Sequence, residues 1–142
     1  MARLGLHRTG NTAYSRGYLR SREWFARRRR WFEEVRAAGM EPACVVCSMT
    51  EPEGRRSGVS LDLHHVSYAG VEQTEQGRWI AAEAHEDLMP LCRHDHQRLH
   101  QMMDGRREFY GWDRERATLW VVTHLIRAAD AGTRTRKTRK DG

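Results

Sequence analysis

The chain has 142 residues, 39% hydrophobic and 31% charged, with a formal net charge of +6 and a pI near 9.8. That length suits a single domain, and no stretch approaches the roughly 20 apolar residues a membrane span needs, so no membrane partner is expected. The basic residues are arginines apart from Lys137 and Lys140, a balance that favours a polyanionic partner over a small substrate, which needs no extended cationic surface.

Residues 1 to 20 show no sustained period and are expected to form a loose basic arm. Ser21 then suits a helix N-cap, Glu23 its first turn and Gly39 its stop. Trp24, Trp31 and Val35, flanked by Phe25 and Phe32, make an amphipathic stripe, interrupted by Arg27, Arg28, Arg29 and Arg30. Four adjacent like charges are tolerated most easily beside an anion, so these arginines are candidate phosphate contacts.

Cys44 and Cys47 follow with the spacing of a zinc knuckle. With 3 cysteines in all and no apolar signal segment at the start, a reducing, cytoplasmic setting is expected. Residues 49 to 60 are rich in turn formers and predict an exposed loop. Leu61 to His65 alternates, placing Leu61 and Leu63 on one face and Asp62 and His64 on the other. Trp79-Ile80-Ala81-Ala82 is a short apolar piece without a clear type. Leu88 to Leu91 predicts a second strand, with Pro90 confining it to an edge or a bulge. A helix from about Asp95 through Met103 completes a strand, strand, helix order.

Of the 8 histidines, His64, His65, His85, His94, His96 and His100 fall in this middle section. His96 and His100 stand four apart, hence on one helix face, and with the histidines ending the first strand they can cage a divalent ion. Past Gly105, Asp113 suits the cap of another helix running to about Ala129, with Leu119, Val122, Leu125 and Ile126 on one side. His124 has a structural or surface role there. Residues 131 to 142 predict a basic disordered tail.

With Cys44-x-x-Cys47, His64-His65, Asp87 and Cys92-x-x-Asp95-His96-x-x-x-His100 in view, residues 20 to 104 resemble the HNH endonucleases of the ββα-metal group. The lead-in Ser21-Arg22-Glu23-Trp24 belongs to the resemblance, since many members carry a helix with an early Trp before the first knuckle. The fold so implied is α+β: a nuclease domain over 21–104 with a small ββα-metal core, a helical extension over 105–130, and the arm and tail outside them. The implied activity is metal-dependent hydrolysis of double-stranded DNA, leaving 5′-phosphate and 3′-hydroxyl ends.

Carried over by position, the resemblance makes His64, His96 and His100 ligands of the catalytic ion and His65 the general base. Neutral imidazole suits both tasks, one nitrogen acting while a neighbour fixes the other. Arg93 and Arg98, bracketing His96, are candidate phosphate clamps. Asp87 stands where the family has Asn; it is expected to brace the loop between the strands by accepting backbone N–H bonds, a direct metal role staying open. Asp95 stands where a fourth cysteine would close the knuckle. Cys44, Cys47, Cys92 and Asp95 form an acceptable structural zinc set, with His94 the competing fourth ligand and a vestigial site the third possibility.

The catalytic ion is open among Mg, Mn, Ni and Zn, as are a homodimer or a larger nuclease complex as the active assembly. A small arginine-rich chain of this kind fits a phage-encoded enzyme in a bacterial or phage-infected host cell. The alternative function is a non-catalytic, zinc-stabilised DNA-binding module, or a partner subunit of a nuclease or packaging complex.

Overall fold

The computed structural model describes residues 13–140. Nine α-helices and β-strands follow in order among them: α1 (Ala13–Leu19), α2 (Arg22–Ala37), α3 (Glu51–Ser57), β1 (Leu61–His65), β2 (Val71–Gln73), β3 (Trp79–Ala81), β4 (Leu88–Cys92), α4 (Arg93–Gly105) and α5 (Arg114–Lys140). The class is α+β, with two separate two-stranded antiparallel sheets, β1 with β4 and β2 with β3. No helix among the described residues is long and apolar enough to cross a membrane.

Ser21 caps α2 as its side chain predicts, its Oγ accepting from the Trp24 amide at 3.1 Å. The buried face holds Trp24, Trp31, Phe32 and Val35, while Phe25 is turned to solvent. Ahead of it lies a correction to the expected loose arm. Residues 1–12 are outside the described part, but Ala13–Leu19 is helical and Tyr18 is fully buried against the Trp24 and Trp79 rings.

The loop expected at 49 to 60 is also corrected, because α3 occupies its middle. Thr50 accepts from the Glu53 amide and Glu53 returns a bond to the Thr50 amide, a capping box that satisfies two helix-end donors, with Pro52 in the first turn. Just before it, Ala43 bridges Thr50 and folds Cys44 to Met49 into a tight turn, with Ser48 at φ 66°.

β1 and β4 pair with His64 opposite Met89, Leu63 opposite Pro90 and Leu61 opposite Cys92. In a two-stranded sheet each strand is an edge, so Pro90 fits without costing a second ladder. Its carbonyl accepts from the Val45 amide at 3.1 Å and ties the cysteine turn to β4. The untyped piece at 79 to 82 holds β3, which with β2 forms a separate hairpin in the connection from β1 to β4 along the chain.

Asp113 caps α5, its Oδ1 accepting from the Arg116 amide at 2.7 Å. The buried face is Ala117, Thr118, Val121, Val122 and Leu125, packed on α4. Leu119, expected on that face, is exposed, and Ile126 lies at the margin. His124 is on the surface, stacked on Trp120. The helix continues past Ala129 to Lys140, so the tail expected to lack structure begins as helix. No proline interrupts that run, and Ala128, Ala129, Ala131 and the arginines all favour helix continuation.

At Gly70 the chain passes so close to the second strand of the hairpin that a Cβ would collide with the Ala82 carbonyl and the Glu83 amide. The Gly70 carbonyl accepts from the Ala82 amide at 2.9 Å in the same approach. Gly70→Ala is therefore expected to lower stability by about 1–3 kcal/mol through forced backbone movement. Urea unfolding measures this, and an unchanged midpoint would mean the approach is not tight.

Candidate metal centres

Two groups of side chains come together around the start of α4. The first is Cys44, Cys47, Cys92 and Asp95, whose donor atoms all lie within 4.8 Å of one another. The turn after Ala43 presents Cys44 and Cys47, and the β4–α4 junction presents the other two. Cys92 is the N-cap of α4, its sulfur accepting from the Asp95 amide at 3.4 Å, so the helix start itself fixes Asp95 beside it. Cys47 Sγ lies 3.8 Å from Cys92 Sγ, while Asp95 Oδ2 lies 3.3 Å from Cys44 Sγ and 3.2 Å from Cys92 Sγ.

A tetrahedral zinc with Zn–S bonds of about 2.3 Å separates its sulfurs by about 3.8 Å, and sulfur from carboxylate oxygen by roughly 3.5 Å. The four residues fit such an ion. Asp95 is buried and His94 exposed, so the geometry brings Asp95 into the set and leaves His94 outside. Burial, with Asp95 and Cys44 adding, raises the Cys92 thiol above its ordinary range, and burial does the same at Cys47. An ion bound here would displace thiol protons.

The second group is His64 from β1 with His96 and His100 from α4. His96 Nε2 stands 3.3 Å from His64 Nδ1 and 3.0 Å from His100 Nε2. Metal–nitrogen bonds of 2.0–2.1 Å in a tetrahedron imply about 3.3 Å between nitrogens, so three imidazoles converge at ligand spacing with room for a fourth position. Two outer nitrogens are fixed. His64 Nε2 lies 3.0 Å from the hydroxyl of fully buried Thr118, and His96 Nδ1 lies 3.1 Å from Asp62 Oδ2. Such partners select which nitrogen faces inward.

Two of the three imidazoles, His64 and His100, are held toward the neutral form that binds cations. Burial, followed by the Arg114 charge, pushes His64 well below its ordinary value. Burial and then His96 push His100 down to about 4. At Asp62 burial acts upward but is outweighed by the bonds from His96 and Ser60, and the carboxyl ends below its usual range.

His65 is not part of this cluster. It is 2% exposed, and its Nε2 donates to Glu83 Oε2 at 2.7 Å. Tyr18 donates to both oxygens of Glu83, at 2.9 and 2.8 Å, and Arg27 Nε donates to the Glu83 carbonyl at 3.0 Å. The imidazole is stacked on Tyr68 at 4.2 Å and lies 4.5 Å from the Trp24 ring. Burial lowers the His65 pKa against the opposing pull of Glu83. Glu83 itself stays below the usual carboxylate range, because the His65 bond and its neighbours outweigh burial. Asp87 braces the strand connection by its backbone carbonyl, which accepts from the Val66 amide at 2.8 Å. The expected side-chain bonds from Asp87 are absent among the described residues.

The arginines expected to meet phosphate divide. Arg27 is buried, bonded to Glu83 and paired with Glu34, so it is corrected to a core residue. Arg28 donates to the Leu61 carbonyl at 2.8 Å and covers the Phe32 ring. Arg29, Arg30 and Arg93 are exposed, Arg30 reaching the Ala81 carbonyl at 3.5 Å. Arg98 is paired with Asp95 at 3.5 Å.

Sequence reasoning missed Glu83, Tyr18, Thr118 and Arg114 as site residues. The two local signals were an acid in the apolar run Ile80-Ala81-Ala82-Glu83-Ala84 and a threonine on the apolar face of α5. Comparisons of the chain with protein-family models, with curated proteins and with solved structures returned no match.

Proposed function

We propose that the chain is a metal-dependent endonuclease of the HNH kind that hydrolyses phosphodiester bonds of double-stranded DNA. In this reading β1, β4 and α4 are a ββα-metal core, His64, His96 and His100 hold the catalytic ion, and Cys44, Cys47, Cys92 and Asp95 hold a structural zinc. The observation that carries it is the convergence of three imidazole nitrogens from a strand and the following helix, two of them oriented by Thr118 and Asp62. A site with three protein ligands and one open position is the catalytic pattern, whereas a closed four-donor site is the structural one.

A divalent ion held there would supply positive charge to the phosphoryl and leaving oxygens as they gain charge. The chain's own part is to orient and to move protons. His65, its Nε2–H fixed on Glu83, has Nδ1 left to accept a proton from the attacking water. The water oxygen bonds to phosphorus as the bond to the 3′ oxygen breaks, and that oxygen takes a proton from solvent water, leaving a 5′-phosphate and a 3′-hydroxyl. Because the ring is covered by Tyr18, Trp24 and Tyr68, this role requires one of those rings to move aside. Affinity comes mainly from phosphate contacts by exposed arginines such as Arg29, Arg30 and Arg93, and so falls steeply with salt.

The burial of His65 favours a second reading, a zinc-stabilised module that binds DNA without cutting it. Supercoiled plasmid incubated with the protein and Mg²⁺, Mn²⁺, Ni²⁺ or Zn²⁺ separates the two. Wild type is expected to give relaxed or linear product, and His65→Ala to lose about 100-fold or more in rate while still binding DNA. Binding by wild type without cleavage under any of the ions would overturn the hydrolase and leave the module.

A further inference from the structure

We infer that Arg114 is the position that holds a backbone phosphate of the DNA beside the three-histidine cluster. The inference rests on the proposed nuclease reading and assigns a contact that lies outside the arginine run of α2. The first turns of α5 face the strand that carries the cluster: Thr118 lies 3.0 Å from His64 Nε2, and one turn earlier Arg114 Nε donates to the His65 carbonyl at 2.5 Å. Residues four apart share a helix face, so Arg114 and Thr118 address the same site.

The guanidinium is anchored on one side only. Its carbon lies 5.0 Å from the centre of the Tyr68 ring, which is itself stacked on His65, and Nε is engaged with the carbonyl. Among the described residues the bond from Nε is the guanidinium's one hydrogen bond, and the side chain is partly exposed. The result is a partly exposed cation anchored through Nε and the Tyr68 ring, whose outer nitrogens have the fork geometry that grips two oxygens of one phosphate. The Asp104 charge acts on it in the opposite sense to burial.

The test uses the full chain and a fluorescent duplex with uncleavable phosphorothioate linkages, with Arg114→Gln and Arg114→Lys as variants. Gln can keep a bond to the His65 carbonyl but carries no charge. It is expected to weaken duplex binding about tenfold and to lower the slope of log affinity against log salt by about one. Lys keeps the charge and loses the fork, and should fall between Gln and wild type. Uptake of Ni²⁺ by the histidine cluster should be unchanged or tighter in Gln, since a nearby cation opposes a bound one. Unchanged duplex affinity and salt slope in a folded Gln variant would overturn the inference, as would a matching loss of Ni²⁺, which would mark Arg114 as a brace for β1. If wild type never cuts plasmid but Gln still loses binding and slope, the phosphate position stands and the hydrolase falls. If wild type cuts and Gln binds and cuts equally well, the reverse holds.

Discussion

Cys44→Ser, or a strong chelator applied to the wild type, is expected to unfold the chain over a range of conditions in which the metal-loaded protein is folded. The four donors of the first cluster come from two parts of the chain, a turn ahead of α3 and the β4–α4 junction. An ion joining them closes a long loop that contains β1, the hairpin and His64 of the histidine cluster. An ion binding only the folded chain, at free concentration a thousandfold above its dissociation constant, adds about 4 kcal/mol, a large part of the stability of a small domain. Breaking the cluster also leaves Asp95 buried with only a thiol and Arg98 as partners. The measurement is urea unfolding with and without chelator, together with zinc content by atomic absorption. Wild type should carry zinc that survives gel filtration and lose it in Cys44→Ser. Asp95→Cys should hold zinc more tightly than wild type, because thiolate is the softer ligand. A chelated protein with the same midpoint, or purified protein with no zinc at this cluster, would show that the residues pack without a structural ion.

What the sequence made legible and what it left hidden follow from how local each signal is. Ser21 with Glu23, Asp113 before α5, the alternation of Leu61 and Leu63, and the four-residue step from His96 to His100 depend on neighbours within a turn or two, and they appear where expected. Thr50 and Glu53 carried an equally local signal for α3, masked by the glycines and arginines around it. The hairpin strands are three residues each, too short for a period to stand out, and their pairing is set by Gly70 fitting under Ala82. The arginine run was legible as charge but not as position: Arg27 points inward because the helix face carrying Trp24 and Trp31 also carries residue 27. Partners such as Tyr18 for Glu83, or Thr118 for His64, lie 65 and 54 residues apart, so only tertiary packing joins them.

Glu83→Ala is the second large effect, with an expected loss of about 3–5 kcal/mol. Glu83 and His65 are both buried, and removing one partner leaves the other without its bond in a medium that penalises unpaired polar groups. The carboxylate also accepts both bonds from Tyr18, whose hydroxyl would then be orphaned under α1. The truncation should therefore loosen α1 as well as β1, seen as faster hydrogen exchange in Ala13–Leu19 and Leu61–His65. Glu83→Gln retains acceptor and donor groups and should cost less than Ala. The pair also sets an acid limit. Glu83 is depressed below its ordinary 4.5, so its contribution is complete above that value and is lost as pH falls through the lower, folded-state value. Glu83→Ala should flatten this part of the acid unfolding curve. Because Tyr18 couples to both residues through Glu83, His65→Ala combined with Glu83→Ala should destabilise by less than the two single changes added together. A Glu83→Ala variant within 1 kcal/mol of wild type by urea unfolding, or strictly additive singles, would mean that water replaces the lost partner and that this buried group does not hold α1 over the sheet.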